Sequence, residues 1–230
     1  MNKRGVAAMA AAVLVGAMAV QVPASAAATV TVALWQMNEA PGSRVLVDSS
    51  GNGVNGIIGA EVVLTGTSHK FGYLKPNTPP AHPEHPDQVT DARLNPGTRD
   101  YAITLHLKWT ANFGNIIQKG QSNTAGGYFK LQAPSGLVQC LFRGSLGSGG
   151  VGSARKLNDG QWHTIRCERT ATAVTMTVDG VVVGRHAGAT GTISNTKPLS
   201  IGGKLACDQI TVTCDYWPGE MDYVQIQASA

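Results

Sequence analysis

Between Leu157 and Gly184 the chain reads LNDGQWHTIRCERTATAVTMTVDGVVVG. Asn158-Asp159-Gly160 is a turn signal, and Trp162–Arg169 follows as a strand. Val174-Thr175-Met176-Thr177-Val178 alternates apolar and polar residues, the period-2 mark of a strand with one buried face. Asp179-Gly180 then reverses the chain, because glycine accepts the positive φ of a tight hairpin turn. Val181-Val182-Val183 opens another strand. A helix needs apolar residues repeating at spacings of three and four, and no such period is sustained along this stretch. It predicts a meander of antiparallel hairpins.

The N-terminus is of another kind. Lys3 and Arg4 precede an apolar run, Val6–Val20, and Ala24-Ser25-Ala26 is a small-x-small site. That layout predicts a secretory signal peptide over Met1–Ala26. The run is short for a membrane span, which needs about 20 apolar residues, and no second apolar stretch of spanning length follows. The expected mature chain, Ala27–Ala230, is free in an extracellular space and forms one domain. The formal charge of the whole chain is +4, and losing Lys3 and Arg4 removes two of those charges. So weak and dispersed a charge gives no reason to expect nucleic acid or an anionic membrane as a partner.

Four cysteines remain, Cys140, Cys167, Cys207 and Cys214. An even count in an exported chain suggests two disulfides, for which three pairings exist. Cys140–Cys167 and Cys207–Cys214 are favoured. Cys140 lies in GLVQCLF and Cys167 in WHTIRC, expected to be neighbouring strands; the second pair closes a short loop. A zinc site is the rival, but no C-x-x-C spacing supports it.

The rest of the chain continues the pattern. Strands are expected at Val30–Met37, Val45–Val47, Ile57–Leu64, Asp100–Trp109, Gly114–Lys119, Tyr128–Gln132, Leu137–Phe142, Lys197–Gly202 and Trp217–Ile226. Pro76–Pro86 holds five prolines and is expected to be an exposed extended loop. No helical period survives over a useful length. The fold class is therefore all-β, a two-sheet antiparallel sandwich rather than a closed barrel.

Several of these pieces resemble a known family. DGQWHTI with TMTVDGVVVG is similar to the central hairpin of laminin G-like domains, the concanavalin A-like jelly rolls of secreted bacterial proteins. LWQMNEAPGSRVLVDSSGNGVNG resembles their opening strand and loop, SIGGK a late strand, and GEMDYVQI a final strand with a Gly-x-x-Asp-x-Val pattern. The pieces fall in family order over nearly all of the mature chain. The resemblance implies a jelly-roll sandwich. It also implies a structural Ca2+ between the first loop and the last strand, carried over to Asp48, Asn52 and Asp222 with backbone carbonyls near Glu39 and Gly51. Calcium takes 6–8 oxygen ligands; an ordinary Asx turn is the alternative for the same residues.

Three further constellations were candidates. Glu220 and Asp222 share one face of a strand, as paired carboxylates for glycoside hydrolysis would. Jelly-roll glucanases carry Glu-x-Asp-x-x-Glu, however, and Gln225 occupies the third position, so no catalytic residue is nominated. His82-Pro-Glu84-His85-Pro-Asp87 is dense in metal-ligating groups, although its prolines favour a solvated loop. A ligand face is expected on the middle strands, where an aromatic platform and a few polar groups would hold a sugar. Trp109, Lys119, Tyr128 and Arg143 are its expected residues, with Gln118 and Lys130 beside them. Gln118 and Lys119 are consecutive, so only one can point to a given face. Together these expectations describe a secreted, non-catalytic protein that recognises an extracellular carbohydrate or glycoprotein. A polysaccharide-cleaving enzyme of the same fold, and a structural or adhesive module, are the alternatives.

Overall fold

The computed structural model describes residues 28–74, 82, 84–205 and 214–230. The expected signal peptide and Cys207 lie outside the described residues, as does most of the proline-rich segment. Two eight-stranded antiparallel sheets face one another. In chain order the strands are β1 (Thr29–Trp35), β2 (Val45–Leu46), β3 (Gly56–Ile57), β4 (Val63–Leu64), β5 (His69–Phe71) and β6 (Asp87–Val89). The middle of the chain forms β7 (Tyr101–Trp109), β8 (Asn115–Lys119), β9 (Tyr128–Gln132), β10 (Gln139–Gly144) and β11 (Gly147–Gly152). Then come β12 (His163–Arg169), β13 (Ala173–Val178), β14 (Val181–Ala187), β15 (Leu199–Ile201) and β16 (Gly219–Ser229). The first sheet runs β14-β13-β12-β7-β16-β5-β4, with β1 also on β16; the second runs β11-β10-β9-β8-β15-β6-β3-β2. This is a jelly-roll sandwich.

Side-chain alternation explains which face is inside. In β7, Tyr101, Ile103, Leu105, Leu107 and Trp109 point into the core, while Thr104, His106 and Lys108 point out. Each fully buried leucine or isoleucine contributes about 1.5–3 kcal/mol. The large aromatics bury their polar atoms in pairs where they can: Trp35 Nε1 donates to Val54 O at 2.9 Å and Tyr101 Oη to Leu94 O at 2.9 Å. The hairpin turn expected at Asp179-Gly180 is present, with φ of 50° and 79°, the left-handed pair that a two-residue β-turn requires.

Three expectations need correction. Ile57–Leu64 is not one strand. Gly56–Ile57 pairs in the second sheet and Val63–Leu64 in the first. The chain changes sheets at Gly59, where the Glu84 carbonyl lies so close that a Cβ would sit 2.1 Å from it. Cys140 and Cys167 are bonded to each other, with Cα atoms 5.9 Å apart, but they are not on neighbouring strands. β10 belongs to the second sheet and β12 to the first, so the disulfide crosses the core and ties the sheets together. Cys214 is not a free thiol. Last, His85 and Pro86 are buried rather than exposed, packed beneath Phe71 and Tyr216, whose rings lie 6.3 and 4.8 Å from that of His85.

A buried triad ties the two sheets together a second time. His69 of β5 has Nδ1 2.7 Å from Asp87 Oδ2 of β6 and Nε2 2.8 Å from Glu39 Oε2 in the loop after β1. Burial alone would lower the His69 pKa, but hydrogen bonds to the two carboxylates outweigh it and raise the pKa to about 9. Glu39 is held below the usual carboxylate range: burial raises it, and the bonds from His69 and the Val47 N–H more than reverse that. Among the described residues no helix is long and apolar enough to cross a membrane.

Candidate functional site

Three adjoining depressions ring the loop from Gly120 to Gly127, which joins the central strands β8 and β9 at one end of the second sheet. The first, about 380 Å³, is lined by Tyr128, Arg143, Thr124, Ser145, Thr192 and Ser194 among others. The second, about 270 Å³, lies over the outer face of the sheet against Gln118, Ser200, Gln121, Lys197 and Leu205, and shares Thr124. The third, about 450 Å³, includes Lys119, Asp91 and Asn95, sharing Ser194 with the first and Lys197 with the second. The three share these lining residues, and their walls carry hydroxyls, amides and a half-buried tyrosine ring.

The surface is preorganised by its backbone. Gly126 has φ of 85°, and a Cβ there would meet Ser194 O at 1.8 Å; at Gly127, φ 83°, it would meet Arg143 O at 2.2 Å. Only glycine allows so close an approach in that conformation. Ser194 N donates to Gly126 O at 2.8 Å, and Asn195 Nδ2 to Gly127 O at 2.8 Å. Asn195 Oδ1 accepts from Lys197 N at 2.9 Å. From below, Lys119 Nζ donates to Asn195 O at 3.3 Å and also to Lys197 O. Burial holds the Lys119 ammonium below the usual lysine range, against the opposing charge of Asp91.

The expected ligand residues divide. Tyr128 and Arg143 are directly paired across β9 and β10 and line the first depression together, with Lys130 Nζ 5.9 Å from the Tyr128 ring centroid. Trp109 and Lys119 do not join them on a face. Trp109 is 3% exposed, its ring 6.1 Å from Trp217 in the core, because it shares the parity of Leu105 and Leu107. Lys119 is 2% exposed and pairs with Phe129 and Leu199, so its stem is core and only its ammonium reaches the rim. Of the consecutive pair, Gln118 is the outward residue. Thr124, Ser194, Lys197 and Ser200 were not expected; the glycines at 120, 126 and 127 were the one sequence signal for the rim they form.

The expected calcium residues are engaged elsewhere. Asp48 Oδ1 accepts from the Leu34 and Ser50 N–H groups, both at 2.9 Å, and Oδ2 from Ser50 Oγ and Val54 N–H, both at 2.8 Å. Burial raises its pKa, and those bonds more than offset this. Asn52 Nδ2 donates to Thr31 O and Val32 O, and Asp222 Oδ1 meets His106 Nδ1 at 2.7 Å. With four donors already on its carboxylate, Asp48 has no lone pair left for an ion, so this donor set does not fit calcium. Among the described residues no group of three or more His, Cys, Asp or Glu side chains is arranged to hold a metal. The dense His82–Asp87 segment is likewise divided: Glu84 binds Arg44 at 2.6 Å, Asp87 binds His69, and His82 lies 3.1 Å from Glu61. Glu220 binds Lys108 at 3.1 Å.

The laminin G domain family model matches residues 111–227. No curated protein matches the chain. Among solved structures, domains LG4-5 of the mouse laminin alpha1 chain are similar at 21% identity with a TM-score of 0.53, covering 70% of this chain and 43% of that one. Domain 4 of AbnA, an extracellular GH43 arabinanase from Geobacillus stearothermophilus solved in complex with arabinotriose, is similar at 17% identity with a TM-score of 0.61; 88% of this chain and 94% of that one are covered. The binding domain of Botulinum neurotoxin serotype D is similar at 11% identity and a TM-score of 0.62, covering 86% and 47%. The chain thus spans under half the length of the laminin and toxin chains. At these identities the likeness is one of fold.

Proposed function

This chain belongs to the laminin G domain family, and from that premise we propose that it is a secreted, non-catalytic protein that binds an extracellular carbohydrate at the surface around Gly120–Gly127. The observation that carries the proposal is the joining of three depressions through Thr124, Ser194 and Lys197. Such a run suits successive units of an oligosaccharide better than one compact ligand. Its polar lining is mainly hydroxyl and amide groups, which exchange hydrogen bonds with sugar hydroxyls in either sense. The Tyr128 ring supplies an apolar platform and Arg143 a fixed donor fork. Secretion is supported by the composition of Met1–Ala26 and by a disulfide suited to an oxidising compartment. The enzyme reading has less behind it, since Glu220 is engaged by Lys108 and Asp222 by His106.

The test is depletion of the mature chain, Ala27–Ala230, from solution by a panel of insoluble polysaccharides. Selective depletion by one glycan, without loss of that glycan's mass, is expected. Tyr128→Ala and Arg143→Ala should weaken it, and Trp109→Phe, a change confined to the core, should not. No depletion by any member, or release of soluble sugar, overturns the proposal.

A further inference from the structure

Gln118 is an outward residue that is nonetheless buried. It pairs with Ser200 of β15 on one side and Lys130 of β9 on the other, on the sheet face away from the core. It is only 5% exposed, and among the described residues its Oε1 has no hydrogen-bond partner. Leaving such an acceptor unpaired is unfavourable, and native chains keep few of them. The amide is not sealed in: it lines the 270 Å³ depression with Ser200, Thr124, Gln121, Lys197 and Leu205. Ser200 is 3% exposed, and among the described residues its hydroxyl reaches only Gln118 O, at 3.5 Å, so it can turn to a better partner. An unpaired acceptor and a weakly held hydroxyl therefore share one polar recess.

We infer that Gln118 and Ser200 form a subsite that receives a hydroxyl of an uncharged sugar unit. The inference rests on the glycan reading above and adds where on the surface, and for what group, selectivity arises. A sugar hydroxyl donates and accepts, so it satisfies the amide whichever way the amide is turned. A carboxylate or sulfate oxygen only accepts, and would face Oε1 as one acceptor against another. Thr124 belongs to both this recess and the Tyr128–Arg143 depression, so one oligosaccharide can occupy both. A site with a buried group waiting for a ligand hydroxyl rejects ligands that lack it more strongly than an apolar pocket rejects a missing methylene.

The experiment repeats the depletion assay with Gln118→Leu and Ser200→Ala, on arabinan, xylan and cellulose as uncharged glycans and pectate as the acidic one. Thermal melting of each variant is recorded alongside. Gln118→Leu removes an unpaired acceptor, so its melting temperature should be equal or higher, while its affinity for the depleting neutral glycan falls about tenfold or more. Ser200→Ala should also weaken binding without loss of fold, and it decides the matter should Gln118→Leu melt lower. Depletion of wild type with undiminished binding by both variants overturns this inference and leaves the glycan reading standing. Depletion by pectate alone also overturns it. No depletion of wild type by any polysaccharide overturns both.

Discussion

The Glu39–His69–Asp87 triad makes stability fall on the alkaline side. The His69 pKa is raised to about 9 in the fold against 6.5 in the unfolded chain. A raised value means the folded state holds its proton more tightly. Its contribution is therefore complete below pH 6.5 and is lost as pH rises through about 9. At about 1.4 kcal/mol per unit the full difference is about 3 kcal/mol. The perturbation is a urea denaturation series from pH 6 to 10, followed by the fluorescence of Trp35 and Trp217, both fully buried. The unfolding free energy of wild type should drop by about 3 kcal/mol across the window. In His69→Gln the dependence on this group disappears. That variant should also be less stable by about 3–5 kcal/mol at pH 6.5, because two buried carboxylates lose their cation. Comparing the two proteins subtracts the titrating groups outside the triad. A wild-type free energy constant to within about 0.5 kcal/mol, or an equal slope in His69→Gln, would refute the reasoning.

Three more outcomes are expected. Replacing both Cys140 and Cys167 by alanine opens a loop whose ends are 27 residues apart, which should lower stability by about 3–4 kcal/mol; an unchanged denaturation midpoint contradicts it. His85, whose pKa is lowered to about 4 by burial, with Glu61 opposing and His82 assisting, is neutral in the fold. Stability should therefore be complete above pH 6.5 and decline as pH falls toward 4, a limb that pH-dependent melting of His85→Phe should lack. Because internal donors saturate the Asp48 carboxylate, a chelator should leave the melting temperature unchanged; a fall reversed by added calcium would show an ion at a site not identified among these residues.

Much of the strand pattern was legible because alternation is local. The parity that buries Leu105 and Leu107 also buries Trp109, and the parity of Ile117 does the same for Lys119, so the sequence held the evidence against those two as a platform. Tyr128 and Arg143 lie on short strands joined by few residues, and their pairing follows from the hairpin. The rim was harder to see. Ser194 and Lys197 reach it from a segment about 70 residues beyond Gly120–Gly127, Ser194 held there by its backbone bond to Gly126 and Lys197 by the side chains of Lys119 and Asn195 rather than by any motif.

By itself the sequence determined an all-β chain, its inward and outward faces and the Asp179-Gly180 turn; it favoured the Cys140–Cys167 pairing for a neighbouring-strand reason that does not hold. Each depends on residues a few positions apart, or on a choice among few partners. Only the tertiary structure decided that β10 and β12 lie in opposite sheets, so that the disulfide crosses the core. It also brought Glu39, His69 and Asp87 together, spent the Asp48 carboxylate on its own loop, and left the outward-facing Gln118 buried in a recess. These outcomes turn on which distant strands pair and which segment lies over a face. Those choices are made by the summed packing and hydrogen bonding of the whole sandwich, of which a local stretch carries only a small part.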